Sequence, residues 1–398
     1  MSRIKYSRSK YLADPMVNAD DVSETNMEVD NLNKMFFYPC KRCAGKNHWR
    51  CLPSEIFFEI LLRLPAHVIH DVITHVCGAW NLIISTKKFI CDHLQNSTPG
   101  IIIMENLKPT NGIYVEIRQG RLETCKFDCR DFYLRGSSVN GLVLTFTGDK
   151  GDHHVLGNKG DHHVLSIINP LTKQHEPLPY DSSVVLGTTL AFAEASMKYK
   201  AVRSYTPNSR SGIYVLTLGV DNVWRHLDVQ HLSKLGREAL RYHPFPTHGY
   251  VHWIGESRVV TLNLDTEIVY EFVQTVYDPF MSVPLAMGRN LSCCHLSKLP
   301  ESRGYLMEVM EMNPETGEWT KLLSSDLKPL SDRFKSLKSV ELFGVLAGGE
   351  VFLFGISGSE KLWAAYNVRT REIQSFQFEK SARKCHPTAH VNTMIWYE

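Results

Sequence analysis

The chain has 398 residues, and its 44 Lys and Arg stand against 42 Asp and Glu, a formal net charge of +2. A hydrophobic share of 43% with 22% charged residues belongs to a globular chain with a sizeable core, in two or three domains at about 150 residues each. The even balance excludes a polycation gripping nucleic acid through bulk charge, and no apolar run reaches the ~20 residues of a membrane helix. The longest candidate, 184–193, is broken by Gly187, Thr188 and Thr189. No secretory signal is expected, because the basic start MSRIKYSRSKYLADP has no apolar segment behind it. The ten cysteines are then expected to be reduced thiols, in a protein of the nucleus or cytoplasm.

Residues 1–39 read as a solvated, disordered tail, with Arg3, Lys5, Arg8 and Lys10 ahead of Asp20, Asp21, Glu24, Glu28 and Asp30. Residues 40–51 form a linker holding Cys40, Cys43, His48 and Cys51, spaced C-x2-C-x4-H-x2-C. Thiolates with an imidazole suit tetrahedral zinc, and the first three positions resemble a zinc knuckle, although a knuckle has four residues before its last Cys and this chain has two. Lys41, Arg42, Lys46, Arg50 and Trp49 would let such a cluster meet nucleic acid. That supports one alternative function, a zinc-dependent nucleic-acid-binding regulator. The plainer reading is a basic linker with reduced cysteines and no cofactor.

From Leu52 to about Leu94 the pattern is helical. Pro53 suits a first turn, Ile56, Ile60, Leu61 and Leu64 recur at helical spacing, and Pro65 ends the run. A second register carries Ile69, Val72, Ile73, Val76, Cys77 and Trp80, and a third short element carries Leu82, Ile83, Phe89 and Ile90. Three helices of this length cannot bury so much apolar surface among themselves, so a partner surface is expected.

After Pro99 short β-rich runs take over, bounded by Gly, Pro, Asn and Asp: IIIM (101–104), IYVEI (113–117), LVLTF (142–146), IYVLTL (213–218), VVTLNL (259–264) and VFLFGI (351–356). An Asn-x-x-Thr pattern recurs in NPLTKQHEPLP (169–179), NLDTEIVYEF (263–272), NPETGEWTKL (313–322) and NVRTREIQSF (367–376), with a degenerate version at 219–227. Such spacing is that of a propeller blade. Asn would cap each turn, Thr would close it, and the following aromatic would pack between sheets. Five units are counted and a sixth is suspected in 101–135. The fold class expected is α+β multidomain, a three-helix segment followed by an all-β, propeller-like domain.

The helical segment resembles the F-box of plant proteins. The matching residues are Leu52, Pro53, Glu55 and Ile56; Glu59, Ile60, Leu61, Arg63, Leu64 and Pro65; Val76, Cys77 and Trp80; and Phe89, Ile90, His93 and Leu94. It departs from that pattern at Gly78, where Lys is usual, and at His70, Asp71 and His75, where Arg is common. The rest of the chain is similar to the F-box-associated, kelch-like β-domain: SSVNGLVLTF (137–146), IINPLTKQHEPLP (167–179), YKAVRSY (199–205), VWRHL (223–227) and HGYVHWI (248–254) come in family order. The resemblance implies an F-box over 52–97 and a propeller-like β-domain over 98–398. It implies a non-catalytic substrate receptor of an SCF-type ubiquitin ligase, binding a Skp-family adaptor and through it cullin and RING subunits. The adaptor contacts it implies are Leu52, Pro53, Ile56, Ile60, Leu64, Pro65, Val76 and Trp80, of which Val76 and Trp80 are expected to serve mainly as core. The β-domain would hold an unknown target protein; nucleic acid and membrane are not expected partners.

Catalytic signatures are lacking in the sequence: no Gly-rich phosphate loop, no G-x-S-x-G and no H-E-x-x-H. The tandem repeat GDKGDHHVL/GNKGDHHVL (148–165), with His153, His154, His162 and His163, reads as a duplicated stretch of an exposed hairpin. The vicinal pair Cys293-Cys294 reads as thiols, buried or partly exposed.

Overall fold

A computed structural model describes residues 54–398, apart from 77, 106–111, 119, 128–132, 148–163, 180–186, 206–210, 276–281, 288–289, 300–303, 335–338, 358–360, 378–384 and 397–398. The tail, the Cys/His linker, Leu52, Pro53 and the four repeat histidines lie outside the described residues. The chain divides into two compact units, Met1–His93 and Leu94–Glu398.

The described helices of the first region are α1 (Ser54–Leu62), α2 (Ala66–Asp71), α3 (Gly78–Ile84) and α4 (Lys87–Asn96), with a 3-10 turn at Ile73–His75. Four helices thus replace the three expected. The second expected helix breaks where Val72, Ile73 and Thr74 follow one another, a β-branched run that resists the helix. There Thr74 Oγ1 donates to the His70 carbonyl at 2.5 Å, bending the chain. The third breaks at Ser85-Thr86, because Thr86 Oγ1 caps α4 by accepting from the Phe89 amide at 3.2 Å.

The β unit contains six four-stranded antiparallel sheets. Blade 2 comprises β4 (Tyr133–Val139), β5 (Leu142–Thr147), β6 (Val164–Ile168) and β7 (His175–Pro177). Blade 3 comprises β8 (Gly187–Ala193), β9 (Lys198–Tyr205), β10 (Gly212–Thr217) and β11 (Arg225–Leu227). After α5 (Lys234–Ala239), blade 4 follows with β12 (Phe245–Thr247), β13 (Tyr250–Ile254), β14 (Arg258–Asn263) and β15 (Val269–Val273). Blade 5 comprises β16 (Ser282–Ala286), β17 (Leu291–Lys298), β18 (Tyr305–Met312) and β19 (Trp319–Asp326). After α6 (Lys328–Arg333), blade 6 runs through β20 (Ser339–Leu346), β21 (Val351–Ser357), β22 (Lys361–Asn367) and β23 (Ile373–Gln377). Blade 1 takes β1 (Gly100–Glu105), β2 (Gly112–Arg118) and β3 (Arg121–Phe127) from the start of the unit, and β24 (Cys385–His390) from its end.

The first strands of blades 2 to 6 and β24 touch one another in succession, β4, β8, β12, β16, β20, β24 and back to β4. That ring is a six-bladed β-propeller. The sixth unit suspected in 101–135 is blade 1, with other bounds: 133–135 already belongs to blade 2, and blade 1 is completed by β24 pairing with β1, Gly100 opposite His390 through Glu105 opposite Cys385. The apolar cores lie between blades. Val202, Ile213 and Val215 of blade 3 meet Val251, Trp253 and Val260 of blade 4, and Ile101 and Val115 of blade 1 meet Leu353 and Trp363 of blade 6.

The Asn-x-x-Thr repeats all fall in the hairpin leading to an outermost strand. The side-chain oxygens of Asn169, Asn263, Asn313 and Asn367 each accept the backbone amides two and three residues on, at 2.8–3.3 Å. The Thr hydroxyl then accepts from the amide two residues later. The residue between adopts positive φ: Lys173, Glu267, Gly317 and Arg371. The aromatics behave unevenly, since Phe376 stacks on Trp363 while Tyr270 stays exposed. In blade 3 the place is taken by Gly219 at φ 70°, and the Asp221 carboxylate accepts the Thr217 amide at 2.8 Å.

Candidate functional site

On α1 the sequence alternates two duties within nine residues. Leu61 and Leu62 are buried, while Ile56 and Ile60, one turn apart, are 48% and 44% exposed. Phe57 packs on Trp80 with ring centroids 4.6 Å apart, and Phe58 meets Phe89 edge-on at 5.3 Å. The α1 end is tied to α4, where His93 Nε2 donates to the Leu64 carbonyl at 2.9 Å; burial pushes the His93 pKa down and keeps the ring neutral. Ile69, Ile73, Ile83, Ile84 and Phe89 complete the interior.

Of the residues expected to contact an adaptor, Ile56, Ile60 and Val76 are exposed, and Leu64, Pro65 and Trp80 are half-buried. Trp80 packs against Phe57, and Val76, just past the 3-10 turn at 73–75, is 38% exposed. Val72 and Leu82, at 54% and 45%, join the exposed set. Covering such half-exposed aliphatics is worth about 1 kcal/mol apiece at ~25 cal/mol per Å².

In the β unit, polar and aromatic side chains join neighbouring blades. Lys200 Nζ donates to the Leu264 carbonyl at 2.6 Å and to Glu267 at 2.7 Å, and Arg225 grips Glu267 through two bonds of 2.8 and 2.7 Å. The Arg225 bonds, with Lys200 beside them, hold the Glu267 carboxyl down to about 2. Arg203 stacks on Trp224 at 4.1 Å and on Tyr214 at 5.1 Å, while Trp224 Nε1 donates to the Pro179 carbonyl of blade 2 at 3.0 Å. Asn169 Nδ2 donates to the carbonyls of Thr393 and Ile395 at 3.0 and 2.8 Å, fastening the C-terminal segment to blade 2. These contacts stiffen the scaffold.

Among the described residues, Ser138 Oγ and His390 Nδ1 form a nucleophile–base-like pair at 2.7 Å, with His390 Nε2 3.2 Å from Asn392 Oδ1. His390 is buried against the Tyr114 edge, and burial pushes it down to about 4, a weak base. The arrangement joins β24 to β4. His252 is also buried, between the hydroxyls of Thr247 and Thr261 at 3.0 Å each, and burial pushes it down to about 3. Cys293 and Cys294 are both buried free thiols, the latter pushed up to about 12 by burial. Among the described residues no group of three or more His, Cys, Asp or Glu is placed to hold a metal; Cys40, Cys43, His48 and Cys51 lie outside them. No described helix is long and apolar enough to cross a membrane. A groove of about 410 Å³ beside β19 is lined by Leu323, Asp326, Lys328, Val368 and Arg371, a mixed-charge surface.

No family model matches this chain, and no curated protein matches it. The solved structures to which the chain is similar at low identity include the following three. A DUF4784 family protein from Bacteroides caccae is 8% identical, with a TM-score of 0.40, over 73% of this chain and 74% of that one. A candidate 6-phosphogluconolactonase from Bacteroides uniformis is 9% identical, TM-score 0.37, over 74% and 98% of the two chains. A functionally unknown protein from Desulfotomaculum acetoxidans is 10% identical, TM-score 0.36, over 74% and 99%.

Proposed function

We propose that the protein is the substrate-recognition subunit of an SCF-type ubiquitin ligase, acting in the nucleus or cytoplasm and doing no chemistry itself. The observation that carries this reading is the pair Ile56 and Ile60, exposed one turn apart on α1 within the ordered F-box-like motif. Val72, Val76 and Leu82 add exposed aliphatic surface to the same helical region. A small helical region gains more from a partner that covers such side chains than from leaving them in water.

In this reading the helical segment binds a Skp-family adaptor, which brings the cullin, the RING subunit and a ubiquitin-loaded enzyme. The propeller holds the target, so that target lysines meet the activated ubiquitin at high effective concentration. The chain contributes position, and the bond-forming groups belong to other subunits. Ion pairs such as Arg225–Glu267 and the ring closure through β24 suit a rigid platform.

Co-expression with a plant Skp-family adaptor, followed by size-exclusion chromatography, tests the proposal. A stoichiometric complex is expected from the intact chain. It should be lost in Ile56→Asp/Ile60→Asp, while the melting temperature of the isolated chain stays unchanged. Absence of a complex with the intact chain, or a complex indifferent to both substitutions, overturns it.

A further inference from the structure

The outermost strands of the six blades differ in how their outer edges are treated. β7 and β11 have three residues each, and β15 and β23 have five. β3 has seven, but Gln374 Oε1 of blade 6 already accepts its Leu122 amide at 2.8 Å. The Val269 carbonyl of β15 is likewise taken, by His231 Nε2 at 3.0 Å. β19 is the longest, with eight residues, and among the described residues its main chain has no bond beyond the ladder to β18. Alternate residues of such an edge turn an amide and a carbonyl outward, where they template a further strand.

The two halves of this edge are not equivalent. Lys321 pairs with Met310 and Leu323 with Val309, so Leu322 is an extra residue, a bulge that interrupts the ladder. Lys321 stands before the bulge, and a lysine on an edge discourages strand addition. Beyond it, residues 323–326 hold neither Lys nor Pro, and all four line the groove of about 410 Å³. Side chains of consecutive strand residues point to opposite faces, so a groove touched by four in a row runs along the edge of the sheet. The rest of its lining comes from α6 and the β22–β23 turn, with Pro329 and Val368. Its charges are two of each sign, Asp326 and Asp332 against Lys328 and Arg371, so net charge does not choose the occupant. The groove offers main-chain hydrogen bonding along one side and enclosure by blade 6 on the other. A second propeller would bring its own flanking helix and turn to this edge, whereas a lone extended chain brings none.

We propose that residues 323–326 of β19 take up an extended segment of a partner polypeptide as a fifth strand of blade 5. This deepens the receptor reading, on which it rests for its purpose: the target is held through a strand-forming segment, by its main chain.

The test uses the full chain and a fluorescent peptide, Lys-Thr-Val-Thr-Val-Thr-Lys, chosen for its preference for extended structure and read by anisotropy. An analogue N-methylated at each Thr and Val keeps the side chains and loses the amide donors. The parent peptide is expected to bind, and to slow hydrogen exchange of the 323–326 amides by about ten-fold or more; the methylated analogue should do neither. Val368→Trp, which fills the groove from blade 6, should weaken binding by about ten-fold. Ser325→Tyr should weaken it from the β19 side, which keeps the test readable if one variant misfolds. Lys173→Glu on the β6–β7 turn and Ile56→Asp should leave it unchanged. No binding of the parent peptide, equal binding of the methylated one, unchanged exchange at 323–326, or indifference to both groove variants overturns the proposal. So does protection of 323–326 that appears in the chain alone as its concentration rises, which would assign the edge to a second copy. Loss of the adaptor complex alone leaves peptide binding standing, so the two readings fail separately.

Discussion

The helical region and the propeller treat the same kind of residue in opposite ways. In the propeller, Val143, Leu144, Val202, Val260 and Phe354 are fully buried, because each middle strand has a neighbouring blade on both faces. In the helical region, Ile56, Ile60 and Val72 stand about half in water although they are as apolar. A ring of sheets supplies a partner for every face, whereas four short helices run out of interior. Blades 3 and 4 repeat the helical behaviour on a smaller scale, with Met197, Val223 and Ile268 left outside a well-packed sheet. Exposure in both places marks surface that internal packing did not claim.

Removing residues 385–398 should break the comparison most severely. The ring loses the strand that joins blade 1 to blade 2, and the cooperative thermal transition of the propeller should disappear in calorimetry while helical circular dichroism persists. Trp253→Ala should come next, at about 3–5 kcal/mol in urea unfolding, since the indole is fully buried between blades 3 and 4. Glu267→Gln should cost about 1–2 kcal/mol near neutral pH, allowing for solvent around Arg225.

The Glu267 effect has a definite pH dependence. The carboxyl lies at about 2 in the fold against an ordinary 4.5, so its contribution is whole above about pH 5 and drains away as pH falls through 4.5 toward 2. His252, held at about 3 against 6.5, already costs stability as pH drops below 6.5, because the unfolded chain takes up the proton first. Subtracting the unfolding curve of Glu267→Gln from that of the native chain should therefore leave only the lower window. A difference that persists unchanged at pH 2 would remove the ion network from the account. The smallest effect should come from Ile56→Asp, within about 0.5 kcal/mol of the native chain. If it instead melts the helical region, Ile56 is core and the contrast between the two regions fails.

Much of the propeller was legible because its middle strands are covered on both faces and therefore read as continuous apolar runs; LVLTF and VFLFGI lie in β5 and β21. The outermost strand β7 was not legible, being three residues long and exposed, whereas VWRHL (223–227) contains the equally short β11. Neither was β24, whose sequence CHPTAH is polar and contains Pro387; it is a strand because β1 pairs with it. The bonds of Lys200 and Arg225 to Glu267 join residues 67 and 42 apart, a distance at which no spacing rule operates. In the candidate adaptor site, Ile56 and Ile60 were readable from their one-turn spacing. Val76 follows the break at Thr74 and is 38% exposed.

The amino-acid sequence by itself determined the turns, the order of helices and strands, and the excess of aliphatic residues in the helical segment. The turns depend on hydrogen bonds closed within four residues, as when Asn313 takes the amides of Glu315 and Thr316. Only the tertiary structure decided that six blades close through β24, that Glu267 bridges two blades, and that Ile60, Val76, Val223 and Ile268 stay in water. Whether a side chain is covered depends on which distant strand arrives to cover it, and a local pattern of residues does not contain that information.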